Sequence, residues 1–168
     1  MEPRWLDEAE RAAWVRLVAV VELLPGVLDS QLRRDAQLTH FDYHVLAMLS
    51  EAPRQVLRMT DLAARTNATL PRLSHVVRRL EERGLVERTP CLEDGRATDA
   101  HLTPAGWAKV RDTAPGHVAT VREHVIDALT PEQVAQLSDI AEALLHRLDP
   151  DGRVTGGALG VRDRAVES

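Results

Sequence analysis

The chain holds a single cysteine, Cys91, among 168 residues, so no internal disulfide framework can staple it, and a cytoplasmic setting is the default expectation. Lysine is equally scarce: Lys109 is the one lysine among 21 basic residues, and the rest are arginines. Nearly all the positive charge is therefore carried on planar forks able to make two-pronged contacts with phosphate or guanine. No apolar run is long enough to span a bilayer and no secretory signal opens the chain, so no membrane association is expected. A Ser/His/Asp arrangement in a nucleophile context, a phosphate-cradling glycine loop and a nucleotide fingerprint are all missing. Catalysis thus finds no support, and no cofactor is expected. With 44% hydrophobic content, the chain can bury the core of one compact subunit.

The net charge of -5 looks wrong for a nucleic-acid binder until it is divided along the sequence. Residues 54–96 hold nine Arg against six Asp or Glu, a local +3, and the remainder sums to -8. A basic module on an acidic body can bind DNA through one face while the rest limits indiscriminate binding.

That basic module spans Met59 to Thr103. It reads as a short helix (about Thr60 to Arg65), a turn, a second helix, then two short strands around a charged, glycine-containing loop. In the second helix Leu70, Leu73, Val77 and Leu80 repeat at spacings of three and four and predict one buried stripe. Pro71, Arg72, Ser74, His75, Arg78 and Arg79 fall outside the stripe, a set suited to the major groove. Thr69 or Asn67 is the expected N-cap. Gly84 ends the helix, Leu85 to Arg88 begin a strand, and the loop Thr89 to Arg96 turns back into Ala97 to Leu102. This is a winged helix-turn-helix pattern with Arg96 at the tip of the wing.

The flanking segments carry apolar stripes that one small module cannot cover. From Asp7 to Arg34 the stripe is Ala13, Leu17, Val20, Leu24, Leu28 and Leu32, joined by Trp5 and Trp14. Pro25-Gly26 predicts a kink or two abutting helices. Thr103-Pro104 and Thr130-Pro131 open two further helices, the second with Gln133 completing a capping box. The first of these carries Trp107 to Leu129 with a break expected at Pro115-Gly116, and the second carries Val134 to Leu148. Pairing with a second copy is the simplest way to bury these stripes. The expected fold is mainly α with a small β-wing. Residues 1–36 and 103–148 are the dimerisation helices, residues 37–102 the winged module, and residues 149–168 a tail without fixed structure.

Three segments make the pattern specific: RLEERGLVER at Arg79 to Arg88, EDGRA at Glu93 to Ala97, and LTPAG at Leu102 to Gly106. With LTHFDYHVLAMLSEAP from Leu38 to Pro53, they resemble the MarR-type transcriptional regulators from about Asp7 to Leu148. The resemblance implies a homodimer held by the terminal helices, bound to double-stranded DNA at an inverted-repeat operator. Repression is the family's usual mode. It places Thr69, Pro71, Arg72, Ser74, His75, Arg78, Arg79, Asp94 and Arg96 at the DNA. Arg72 is the candidate for a two-pronged contact to guanine, and His75 for a base or a phosphate. Arg78 and Arg79 point to phosphates, and Arg96 to the minor groove. Asp94 has a structural part, holding the arginine or the turn. For Ser74 a surface or capping hydroxyl is the preferred reading over a DNA contact. Many relatives carry a second basic residue where this chain has Gly95, which leaves less charge in the wing.

The resemblance also implies a small-molecule cavity between the dimer helices and the winged module. A small aromatic or amphipathic acid is the expected effector, with Trp14, Arg16, His40 and His44 as candidate lining. His40 and His44 lie four apart on one helix and His117 and His124 two turns apart on another. A metal-responsive sensor is therefore the alternative, although no dense ligand cluster accompanies them. A second alternative is a winged-helix module for protein contacts, which would not need Arg72, His75 and Arg96 exposed. Cys91 sits in the wing near Arg88 and reads as an incidental thiol rather than a redox switch.

Overall fold

In a computed structural model, residues 3–155 are described. Three of its helices open on reciprocal caps. Asp7 accepts from the Glu10 amide and Glu10 returns to the Asp7 amide, at 2.8 and 3.0 Å, which starts α1 (Glu8–Ala36). Thr39 and Asp42 do the same for α2 (His40–Glu51), both bonds at 2.9 Å. Thr130 and Gln133 cap α6 (Pro131–Leu148). Each box satisfies two otherwise unpaired amides and fixes where the helix begins. Between α2 and α6 run β1 (Val56–Arg58), α3 (Met59–Arg65), α4 (Leu70–Glu82), β2 (Val86–Pro90), β3 (Thr98–Leu102) and α5 (Pro104–Val121). The fold is the expected one, mainly helical with a small antiparallel sheet.

The sheet order is β1-β3-β2. Its middle strand pairs Ala100 with Leu57 on one side and with Arg88 on the other. β1 was not expected from the sequence. Three residues carry no readable period, and the strand exists because β3 offers it a partner.

The core lies beneath α4. Leu32, Leu38, Leu46, Leu49, Leu62, Leu73 and Leu80 are fully buried there, each contributing roughly 1.5–3 kcal/mol relative to exposure. The α4 stripe differs by one residue from the expected one: Val76 is buried, and Leu70 is 44% exposed in the first turn. Leu70, the first residue of α4, stands at the cleft between α4 and the wing rather than in the core.

α1 is one continuous helix through Pro25, so of the two expectations, a kink or two abutting helices, the second is excluded. α5 likewise runs through Pro115, and its irregularity comes later, as a π-helical stretch at Arg122–Ile126. Only the C-terminal part of α1 joins the core, through Leu28, Leu32 and Ala36, and α6 has no buried residue at all. Past α6, residues 150–155 form a turn in which Asp149 accepts from the Arg153 and Val154 amides, both at 2.9 Å. The rest of the expected unstructured tail, residues 156–168, lies outside the described residues. No helix among the described residues is long and apolar enough to cross a membrane.

Candidate nucleic-acid interface

The helix-turn-helix is set by its turn. Asn67 adopts a left-handed backbone, φ 48°, a conformation asparagine tolerates better than most residues. Thr69 then caps α4, its hydroxyl accepting from the Arg72 amide at 3.4 Å, and Pro71 stands in the first turn, where its missing N–H costs nothing. With Leu73, Val76, Val77 and Leu80 turned inward, Pro71, Arg72, His75 and Arg78 are exposed together on the outer face, while Ser74 and Arg79 are half-buried at its edges.

Several of these side chains have partners in the free protein. The Arg72 guanidinium lies 4.2 Å from the centroid of the Phe41 ring, a cation–π contact worth about 0.5–1 kcal/mol at an exposed site. Arg79 pairs with Asp42, the same carboxylate that closes the α2 capping box. Its guanidinium is thus tied to α2 rather than free at the helix surface. Arg78 Nη2 lies 3.3 Å from His75 Nδ1. Ser74 does not cap the helix; it lines a cleft toward the wing.

In the wing, Asp94 holds the turn: its carboxylate accepts from the Arg96 amide at 3.1 Å and its carbonyl from the Ala97 amide at 2.8 Å. The Arg96 side chain is exposed. Gly95 has open space around the position of a Cβ. Cys91 is buried, and its neighbour is Arg58 rather than Arg88, with Arg58 Nη2 donating to the sulfur at 3.3 Å. Arg88 is held by Glu81 through its backbone amide, Nε and Nη2, at 2.9, 2.9 and 2.6 Å. Those bonds hold the Glu81 carboxyl below the usual carboxylate range.

The four candidate effector residues do not come together within one chain. His40 begins α2, its amide donating to Asp29 at 2.8 Å, and it lines a groove of about 520 Å³ with Phe41, Arg33, Arg72 and Arg79. His44 follows one turn later, half-buried. Trp14 and Arg16 are exposed and lie roughly 20 Å along α1 from Asp29, at 1.5 Å per residue. His40 instead meets His117 of α5, ring centroids 6.5 Å apart, and Tyr43 packs on His117 at 4.6 Å. Burial holds the His40, His44 and His117 imidazoles below the ordinary histidine value of 6.5, with the charge of His40 pushing the other two the same way. His124 stands apart in the π-helical stretch, beside the Thr120 carbonyl. Among the described residues, no group of three or more His, Cys, Asp or Glu is arranged to hold a metal ion.

Sequence reasoning missed Arg58, Phe41 and Asp42, because each acts across a long sequence gap. The one available signal was the charge of Arg58 next to the predicted short helix.

Comparison with known proteins gives a consistent picture. The sequence profile of the MarR family matches residues 36–97. The chain is 30% identical over 136 residues to the transcriptional repressor YetL of Bacillus subtilis, covering 74% of this chain and 81% of that one. Among solved structures, it is similar to a MarR family transcriptional regulator from Streptomyces coelicolor in complex with DNA. There the TM-score is 0.84 and the identity 46%, over 89% of this chain and 93% of the other. AbsC, another MarR family regulator from Streptomyces coelicolor, matches with TM-score 0.81 and 39% identity, over 87% and 98% of the two chains.

Proposed function

Because the chain belongs to the MarR family of transcriptional regulators, we propose that it is a homodimeric repressor of an inverted-repeat operator, released by a small-molecule ligand. A dimer seated on promoter DNA blocks polymerase physically, and the Bacillus subtilis relative is named a repressor. The reading assigns no catalytic step to the chain and places it in the cytoplasm, with the DNA.

One observation carries the DNA-binding part: α4 exposes Arg72, His75 and Arg78 on the face opposite its buried stripe, beside a wing whose exposed arginine is Arg96. Pro71 and Arg72 near the start of α4 meet base edges, His75 a base or phosphate, and Arg78 a phosphate. Thr69 and Asp94 act by holding backbone, and Arg79 by tying α4 to α2. Arg96 enters the minor groove, where narrow A·T-rich steps concentrate negative potential. The pairing helices are residues 1–36 and 103–148, and the winged module is residues 37–102. Support for pairing comes from the apolar side chains that a single chain leaves in solvent, among them Trp14, Val20, Val21, Leu23, Ile140 and Leu144.

The effector in this reading is a small aromatic or amphipathic acid at the junction of α1, α2 and α4. His40 and Arg72 line the same groove, so a carboxylate there competes with Phe41 and with DNA for Arg72. A ligand moves the equilibrium only by its differential affinity for free and DNA-bound protein. Footprinting on a duplex selected from random sequence tests the whole reading: two protected half-sites about one helical turn apart are expected. Equal affinity for scrambled DNA at physiological salt would refute it. Thermal-shift measurements with a panel of aromatic carboxylates test the effector, which must stabilise free protein more than its DNA complex.

A further inference from the structure

A cleft of about 190 Å³ separates α4 from the wing, and its polar lining is three arginines and three hydroxyls: Arg58, Arg88, Arg96, Thr60, Ser74 and Thr98. No carboxylate lines it. Arg88 is oriented by Glu81, which occupies its Nε and Nη2 and leaves Nη1 unassigned. Arg58 is steadied by the Cys91 sulfur. No ion pair among the described residues engages Arg58 or Arg96. Two guanidinium groups that close no ion pair therefore face a concave site, Arg58 with the Asp94 and Asp99 carboxylates in its wider surroundings, beside a third that is only partly used.

Duplex geometry says what passes through that space. A helix in the major groove and a wing tip in the adjacent minor groove must straddle the sugar–phosphate strand that divides the two grooves. In this chain the straddled space is the cleft. Building on the DNA-binding reading above, we propose that the cleft seats one backbone phosphate of the operator per subunit, with Arg58, Thr60 and Arg88 as its donors and Arg96 at the lip continuing into the minor groove. Phosphate contacts of this kind fix register and orientation without reading sequence. Arg58 and Thr60 thereby set how deeply α4 is inserted, while Arg72 samples the bases.

The test uses the full-length protein and a duplex selected by it from random sequence. Arg58→Gln should lower the slope of log affinity against log salt by about 0.9 per subunit, and weaken the selected and scrambled duplexes by the same factor. Thr60→Val, at an exposed position, should weaken both equally while leaving the fold untouched. It keeps the test available should Arg58→Gln disturb the Cys91 contact. A methylphosphonate scan, which neutralises one phosphate at a time, should then find one position per half-site that weakens the wild type clearly more than it weakens Arg58→Gln or Thr60→Val. If every position weakens the variants as much as the wild type, the cleft holds no phosphate, although DNA binding itself stands. If the wild type selects no duplex at all, the DNA-binding reading falls and the cleft proposal with it. A flat scan together with stabilisation of the free protein by inorganic phosphate, lost in Arg58→Gln, would make the cleft a free-anion site and overturn its assignment to DNA.

Discussion

α4 and α6 carry apolar stripes of the same kind and meet opposite fates. In α4, Leu73, Val76, Val77 and Leu80 are all buried. In α6, Leu137, Ile140 and Leu144 remain 44%, 59% and 42% exposed. The charge divides in the same way, +3 over residues 54–96 and -8 elsewhere. A stripe at helical spacing states that a face must be covered; it does not state by what. The faces of the winged module are covered within the chain, by its own residues together with Leu32 and Ala36 of α1 and Val110 of α5, whereas the terminal helices leave theirs to the second copy of the proposed dimer.

The sharpest way to break that contrast is to charge the uncovered stripe. Ile140→Asp should convert the dimer to an 18.6 kDa monomer in sedimentation at low micromolar concentration, since symmetry buries the unpaired charge twice and each such burial costs several kcal/mol. A dimer that survives would show that α6 is not in the interface. Leu73→Ala attacks the other region. It should cost about 2–5 kcal/mol of stability, read as a lower melting temperature at every protein concentration.

Smaller effects separate the two parts of the DNA face. Arg72→Ala should cost about 1–3 kcal/mol of operator binding and flatten the base preference at one position per half-site. Unchanged preference would leave Arg72 as a packing residue on Phe41. Arg96→Ala should lower the salt slope by up to about 0.9 per subunit and weaken A·T-rich flanks most. Unchanged affinity in a folded dimer would mean the wing does not touch DNA. The smallest effect is on pH dependence. His40, His44 and His117 have folded values depressed below 6.5. The unfolded chain therefore binds more protons as pH falls below 6.5, and stability, full above that value, declines on acidification. His117→Phe should flatten the fall of melting temperature between pH 6.5 and 5; an equally steep fall would place the proton uptake elsewhere.

Much of this architecture was legible in local sequence. The caps at Thr69, Thr103 and Thr130, the glycine after α4 and the turn at Asp94 depend on neighbours within a few residues, so residue type and spacing disclose them. What escaped has its cause farther off. β1 needs β3, more than forty residues on. The Arg79–Asp42 pair spans 37 residues and the Arg58–Cys91 contact 33, and no period in the sequence records either. Val76 replaced Leu70 in the stripe because the core meets α4 from Leu73 onward, while Leu70 lies at the cleft toward the wing. Trp14, Arg16, His40 and His44 were grouped by chemistry, and helix length alone separates the first two from the others.

Gly106 gives the junction between the two regions a mechanical character. A Cβ at this position would run into the carbonyl oxygen of Leu85 and approach the Leu102 side chain to 2.6 Å. The first turn of α5 thus rides directly on the backbone at the start of β2. Thr103 doubles the connection, its amide donating to the Leu85 carbonyl at 3.2 Å and its hydroxyl to that of Gly84 at 2.7 Å. Backbone lies against backbone there, with no side chain between. The helix and the strand thus meet as a single joint, and any side chain at 106 would have to prise the first turn of α5 away from the start of β2.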